Sequence, residues 1–425
     1  MGGKSLSRNS IKRRQIHNET LHATKTTRKI KVIQLLISHS DDNMFFVMKK
    51  NIGQDSLKYH KKYKGKIGTE LKSPINDKSE LSLAYTPGVA SVSLELSKDP
   101  KKASLLSLKS NTIAVLSDGS AVLGLGNIGP YGAIPVMEGK AALFKKFGGV
   151  DAFPICVDTQ NNEEIIKIAK NIAPVFGGIN LEDIEAPRCF EIERRLISEL
   201  DIPVMHDDQH GTAVVVLSAL INAIKVTNKD KSVKIVINGA GAAGTAVCDL
   251  LLEYGFKNIV VCDSKGAIGK KRSDLNSEKI RLTRLTNKND EVGDIHNIIK
   301  NKDVFIGVSK GNLIDKSDVA NMNKKAIIFA MANPTPEIMP EKATLGGAMV
   351  VATGRSDFDN QINNVLAFPG IFRGALDNKV RRITNKMLIQ AAINLSKLVK
   401  VPTSQKIIPT PFEKGIVKAV AKAIK

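Results

Sequence analysis

The sequence predicts an α/β protein of two domains, the second a doubly wound parallel sheet. Three observations predict it. From about residue 111 onward, short apolar runs alternate with amphipathic stretches. One glycine-rich turn, Gly239-Ala240-Gly241-Ala242-Ala243-Gly244, falls between an apolar run and a helical pattern. The chain has 425 residues, 42% hydrophobic and 25% charged, which suits two or three cores and excludes a wholly disordered or collagen-like chain.

Residues 1–55 form a basic extension that we leave out of the fold. Residues 1–66 hold 16 Lys/Arg against 4 Asp/Glu, so the head carries more than half of the net charge of +21. It has no aromatic residue before Phe45, whereas single-strand nucleic-acid tracks pair basic residues with stacking aromatics. A solvated lysine-rich surface is therefore expected, without specific nucleic-acid binding. The head's acid-poor composition also fits a transit segment or an over-extended reading frame starting at Met44 or Met48. Leu6 stands where a myristoylation signal needs Ser or Thr. The longest apolar stretch, Ala213 to Ile224, is too short to span a bilayer, so no membrane is expected. Cys156, Cys189, Cys248 and Cys262 are widely spaced with no C-x-x-C, which points to buried thiols and a cytoplasmic protein.

Strands are predicted at Thr112–Leu116, Ala152–Val157, Lys234–Ile237, Asn258–Cys262, Asp303–Ile306, Ala326–Ala330 and Ala348–Ala352. Helices fall between them at Glu163–Ile172, Arg188–Leu200, Thr212–Val226 and Thr245–Tyr254. The polar stretch Asn228–Ser232 divides a domain of residues 56–227 from one of residues 228–425.

In the second domain, Gly239, Gly241, Ala242, Ala243 and Gly244 follow a strand and open a helix. The next strand ends in Asp263, 19 residues past Gly244. That is the context of a Rossmann-type dinucleotide site: a tight turn, a helix N-terminus facing pyrophosphate, and an acid for the ribose hydroxyl. Asp263 favours NAD, while Lys265 and Lys270-Lys271-Arg272 nearby keep NADP open. A second match, Gly124 to Gly129, runs straight into Pro130 and reads as an ordinary turn.

Lys140 has Val136, Met137, Leu143 and Phe144 at its helical neighbours, so its stem lies on a buried face, where burial lowers the pKa towards that of a general base. A lysine snorkelling to water has the same pattern. Glu182-Asp183 and Asp207-Asp208 suit a hard divalent cation, or surface capping. His206-Asp207-Asp208-Gln209-His210 approaches a zinc-hydrolase pattern. Asp stands in place of its Glu, and Pro203 and Gly211 place the segment in a loop before the helix. Tyr85 sits beside the turn Pro87-Gly88.

Together these segments resemble the malic enzymes. The tyrosine motif is Leu83–Ala90, the lysine motif Gly124–Gly129 with Gly132–Lys140, and the acidic segments Asn180–Ile184 and His206–Thr212. A late segment, Asn363–Gly370, also matches, and the likeness runs from about residue 56 to the C-terminus. The resemblance implies oxidative decarboxylation of L-malate to pyruvate and CO2 with NAD or NADP. It implies Lys140 as base towards the malate hydroxyl and Tyr85 as acid towards the enolpyruvate carbon. Glu182, Asp183 and Asp208 would be ligands of Mg2+ or Mn2+, with His206 and Asp207 behind them. Asn333, Asn363 and Asn364 would be contacts to substrate or nicotinamide. It further implies a homodimer. Ala121 follows Ser117-Asp118-Gly119-Ser120 where the long eukaryotic form has a carboxylate-gripping arginine, so the likeness is to the short bacterial type. A dehydrogenase of another small hydroxy acid would keep the glycine turn and tolerate loss of the metal.

Overall fold

The structure, a computed structural model, describes residues 52–122 and 124–425. The targeting and start-site readings of the head fall on residues outside that range. The chain divides into two compact units, Met1–Lys66 and Ile67–Lys425. Of the first, residues 52–63 are helical.

The second unit contains two sheets. In the first, β1 (Thr112–Ser117), β2 (Asp151–Cys156), β3 (Gly178–Leu181) and β4 (Val204–His206) are parallel in the order β2-β1-β3-β4. All six residues of β1 are buried, as an unbroken Thr-Ile-Ala-Val-Leu-Ser run requires when both faces are covered. In the second sheet, β5 (Lys234–Asn238), β6 (Asn258–Asp263), β7 (Gly266–Ala267), β8 (Val304–Gly307), β9 (Ala326–Ala330) and β10 (Ala348–Thr353) follow the order β10-β9-β8-β5-β6-β7. Only β7 is antiparallel to its neighbour.

Each sheet starts from a central strand whose successors lie on opposite sides: β2 and β3 flank β1, and β6 and β8 flank β5. Such a reversal opens a crevice at the carboxyl ends of the strands, where α/β proteins place ligands. The glycine turn follows β5. Asp118, Glu182-Asp183 and Asp207-Asp208 follow β1, β3 and β4.

The seven expected strands are present within a residue or two. Three further strands, β3, β4 and β7, four, three and two residues long, are too short to leave a clear period in the sequence. The helix expected from Thr212 instead runs Asp207–Thr227, with His206 as its N-cap. This corrects the reading of 206–210 as a loop: Asp207 and Asp208 suit a first helical turn, where carboxylates meet the positive end of the helix dipole. Gly211 is tolerated inside the helix because a Cβ there would strike Asp207 Oδ1. Among the described residues this helix alone is long and apolar enough to cross a membrane by length and composition, more than Ala213 to Ile224 suggested; 72% of its apolar 18-residue window is buried within the protein. It packs against the helices Ala242–Tyr254 and Asn385–Ser396 at the centre of the largest apolar core.

Candidate active site

Lys140 lies on the helix Gly129–Gly148, its side chain 8% exposed. Its Nζ donates to Asp207 Oδ2 at 2.6 Å, pairs with Glu182 Oε1 at 2.7 Å and lies 4.2 Å from the Phe368 ring centroid. The buried stem is as expected, and the tip does not reach water. The expected direction of the pKa is corrected. Burial, the largest influence, lowers it, but the charges of Asp207, Glu182 and Asp208 and the hydrogen bond to Asp207 together hold it above the ordinary lysine value. In this state Lys140 is an ammonium.

Glu182 follows β3 directly and is oriented by Asn180, whose amide donates to Oε2 at 2.8 Å. Asp183 adopts a left-handed backbone, φ 53°; its N–H donates to Asp208 Oδ2 at 2.9 Å and its carbonyl accepts from Ala121 N–H at 2.9 Å. One ligand atom from each of Glu182, Asp183 and Asp208 lies within 4.8 Å of the other two. Burial first, and then the neighbouring carboxylate charges, raise both acids; Glu182 rises well above the ordinary range and Asp183 to about 8. Lys140 opposes the rise in both. Asp183 Oδ2 is buried without a hydrogen-bond donor. A crowded all-oxygen cluster with an orphaned carboxylate oxygen fits a hard divalent cation. His206 and His210 do not join it. His206 caps the helix and is fully buried, and His210 Nε2 is 3.0 Å from Glu193 Oε1. Glu193 also accepts from His206 N–H and from Gln209, tying the start of this helix to the helix Arg188–Glu199.

A cavity of about 470 Å3 opens beside the acids. Asp183, Asp208, Asn333, Asn363 and Asn364 line it, and so do Gly241, Ala242 and Ala243 from the glycine turn. A second cavity of about 630 Å3 runs from Gly239-Ala240-Gly241 to Asp263 and Lys279. Gly241 borders both, and a Cβ added there would meet open space. Gly239 has φ +124°, and a Cβ on Gly244 would strike the Gly239 carbonyl, so neither tolerates a side chain. The turn is thus shaped for close approach of a dinucleotide backbone at the N-terminus of Ala242–Tyr254. Lys140 and Glu182 line neither cavity but are tied to the acids that do, whereas Tyr85 is not brought in. It is the C-cap of the helix Lys78–Ala84, 67% exposed, and lines neither cavity.

Sequence reasoning missed Glu337. It is fully buried and accepts from Ser309 N–H at 3.1 Å and Ala332 N–H at 3.0 Å, so it fastens the loops after β8 and β9 that carry Ser309 and Asn333 to the cavities. The acid following Asn333-Pro334-Thr335-Pro336 was its signal. Glu337→Ala leaves both N–H groups without an acceptor, each costing roughly 1–3 kcal/mol. The urea midpoint should fall accordingly, and a midpoint within error of wild type would refute the strut.

A dinucleotide turn at the switch point of one sheet, facing carboxylates from another across a shared cavity, is the arrangement of a nicotinamide-dependent oxidoreductase, and those carboxylates could hold a cation. Residues 64–167 and 159–197 match the model of the malic enzyme N-terminal domain, and residues 209–424 match that of the malic enzyme NAD-binding domain. The chain is 50% identical over 378 residues to the bifunctional malic/malolactic enzyme of Bacillus subtilis, covering 88% of this chain and 92% of that protein. It is 53% identical over 363 residues to the NAD-dependent malic enzyme of Geobacillus stearothermophilus, covering 85% and 76%. The crystal structure of the NAD-dependent malic enzyme from Thermotoga maritima superposes with a TM-score of 0.84 at 49% identity, over 87% of this chain and 98% of that one. The chain belongs to the malic enzyme family.

Proposed function

We propose that the chain converts L-malate to pyruvate and CO2 with reduction of NAD+ or NADP+, using Mg2+ or Mn2+. The observation that carries this is the single cavity joining the glycine turn to Asp183, Asp208 and the three asparagines. Glu182, Asp183 and Asp208 would hold the cation, and Gly239 to Gly244 with Asp263 the dinucleotide. When bound, the nicotinamide supplies a hydride acceptor, and the cation supplies positive charge beside the C2 oxygen, the electron sink that decarboxylation of a β-keto acid needs.

Lys140 takes the proton of the C2 hydroxyl at Nζ as the hydride leaves carbon. A cation held by Glu182, Asp183 and Asp208 would offset the charge of Glu182 and Asp208, two of the three acids that, with Asp207, keep Nζ protonated. Glu182 and Asp207 fix Nζ in place. Asn333, Asn363 and Asn364 orient the dicarboxylate or the nicotinamide by hydrogen bonds. Tyr85 is the proposed donor to the enolpyruvate carbon. Tyr85→Phe should lose pyruvate formation from L-malate while Mn2+ and dinucleotide binding stay at wild-type values; retained turnover would withdraw the role.

A division into a substrate and metal domain up to residue 227 and a dinucleotide domain after it follows from the same reading. So does a homodimer. The helices Lys78–Ala84 and Val89–Lys98 bury no residue, and Leu83, Leu94 and Leu105 are exposed, so this segment offers an apolar surface for a second copy to cover. Four free cysteines, three of them buried, support a cytoplasmic setting. The function is tested by mixing protein, L-malate and Mn2+ with NAD+ or NADP+. Equal amounts of reduced nicotinamide and pyruvate are expected, both abolished by a chelator. Reduced nicotinamide without pyruvate would favour a dehydrogenase of another kind.

A further inference from the structure

Asp263, the acid that follows β6, is already full. Its Oδ1 accepts from Arg272 NH1 at 2.6 Å and from Lys265 N–H at 2.9 Å; its Oδ2 accepts from Lys279 Nζ at 2.7 Å and from Arg272 NH2 at 3.1 Å. A carboxylate offers about four lone-pair sites, and all four are taken. Arg272 is gripped from the other side by Asp274, through Nε at 2.9 Å and NH2 at 2.7 Å, and Asp274 also pairs with Lys265 at 2.8 Å. These two acids and three cations sum to one positive charge; Glu278 and Asp294 also line the cavity, and Glu278 is paired with Arg194 and Arg281. Asp263 and Lys279 both line the cavity that begins at the glycine turn, with Ser264 and Asn276 between them in sequence.

The usual logic of this position is that a bare acid accepts from the ribose hydroxyls of NAD and repels a 2′-phosphate. Here the acid is neutralised from beneath by a two-pronged arginine that is itself locked in place. A ribose hydroxyl that donates to Asp263 must first displace one of four existing bonds. A 2′-phosphate needs only Lys279, which is held by one bond to Asp263 and sits at the start of the helix Ser277–Leu285. A dianionic phosphate is also the better partner for a cluster with surplus positive charge.

We propose that this dinucleotide site accepts the 2′-phosphorylated cofactor at least as well as the unphosphorylated one, with Lys279 meeting the phosphate and Arg272 masking Asp263. This rests on the reading of Gly239–Gly244 as the dinucleotide turn. The test is calorimetric titration of the full chain with NAD+, NADP+ and 2′,5′-ADP, without malate, so that no turnover is needed. NADP+ is expected to bind no more weakly than NAD+, and 2′,5′-ADP to compete with it. Lys279→Gln should weaken NADP+ at least tenfold and leave NAD+ within about twofold. Arg272→Gln, in protein shown to be folded by circular dichroism, should tighten NAD+ relative to NADP+ at least tenfold by freeing Asp263. NADP+ more than tenfold weaker than NAD+, or equal effects of Lys279→Gln on both, would overturn the proposal and leave the dinucleotide site standing. If neither dinucleotide binds, the reading of the glycine turn falls and takes the proposal with it.

Discussion

Lys140→Ala should lower kcat for malate oxidation by about 10²–10⁴, the range over which a positioned general base contributes. The same substitution should destabilise the protein, because Lys140 is paired with two acids, Glu182 and Asp207, that are both nearly inaccessible. Removing one partner of a buried pair and leaving the other charged costs about 3–5 kcal/mol. The two effects separate by condition. Acidification protonates the stranded carboxylates and restores much of the stability, but it returns no base. Thermal unfolding across pH 5–8 together with kcat in the same buffers checks this. A variant that regains activity as it regains stability would make Lys140 a structural residue only.

The second large effect concerns the cation. Asp183→Asn and Asp208→Asn each remove a carboxylate from the cluster, and each should weaken Mn2+ by more than the 10–100-fold that loss of an outer hydrogen-bonding partner costs. Wild-type affinity should itself rise with pH. Asp183 and Glu182 hold protons more tightly than free carboxylates, and a cation must displace those protons. The sign for stability follows. Between the ordinary aspartate value of 3.8 and the raised value of about 8, the metal-free folded protein binds more protons at Asp183 than the unfolded chain does, so its stability falls as pH rises through that window. Saturating Mn2+ should remove that slope. Melting temperatures at pH 5, 6.5 and 8, with chelator or with Mn2+, measure it. A slope of opposite sign without metal would contradict the crowding of the acids.

Seven of the ten strands were legible because they are apolar runs bounded by turns, and the glycine turn was legible in part because Gly239 and Gly244 answer steric demands. The acid cluster was legible as residue types but not as geometry. Nothing local shows that Asp207, rather than Glu182 alone, holds Lys140, since that depends on where β4 stops and the helix Asp207–Thr227 starts. The net charge state of Lys140 was misread for the same reason: burial is visible in a helical pattern, whereas three carboxylates from two other segments are not. Glu337 was missed because it acts on backbone N–H groups, and its place after Asn333-Pro334-Thr335-Pro336 is the one local mark it leaves. Tyr85 marks the opposite limit, since its motif is clear while the fold of the chain leaves it exposed.

In the proposed reaction Lys140 serves oxidation at C2 and the acid cluster serves decarboxylation. Supplying oxaloacetate with Mn2+ bypasses the hydride step. In Lys140→Ala, with Mn2+ affinity confirmed on the same sample, decarboxylation of oxaloacetate should stay within about tenfold of wild type while malate oxidation is lost. Equal loss of both reactions in folded, Mn2+-bound protein would contradict the account.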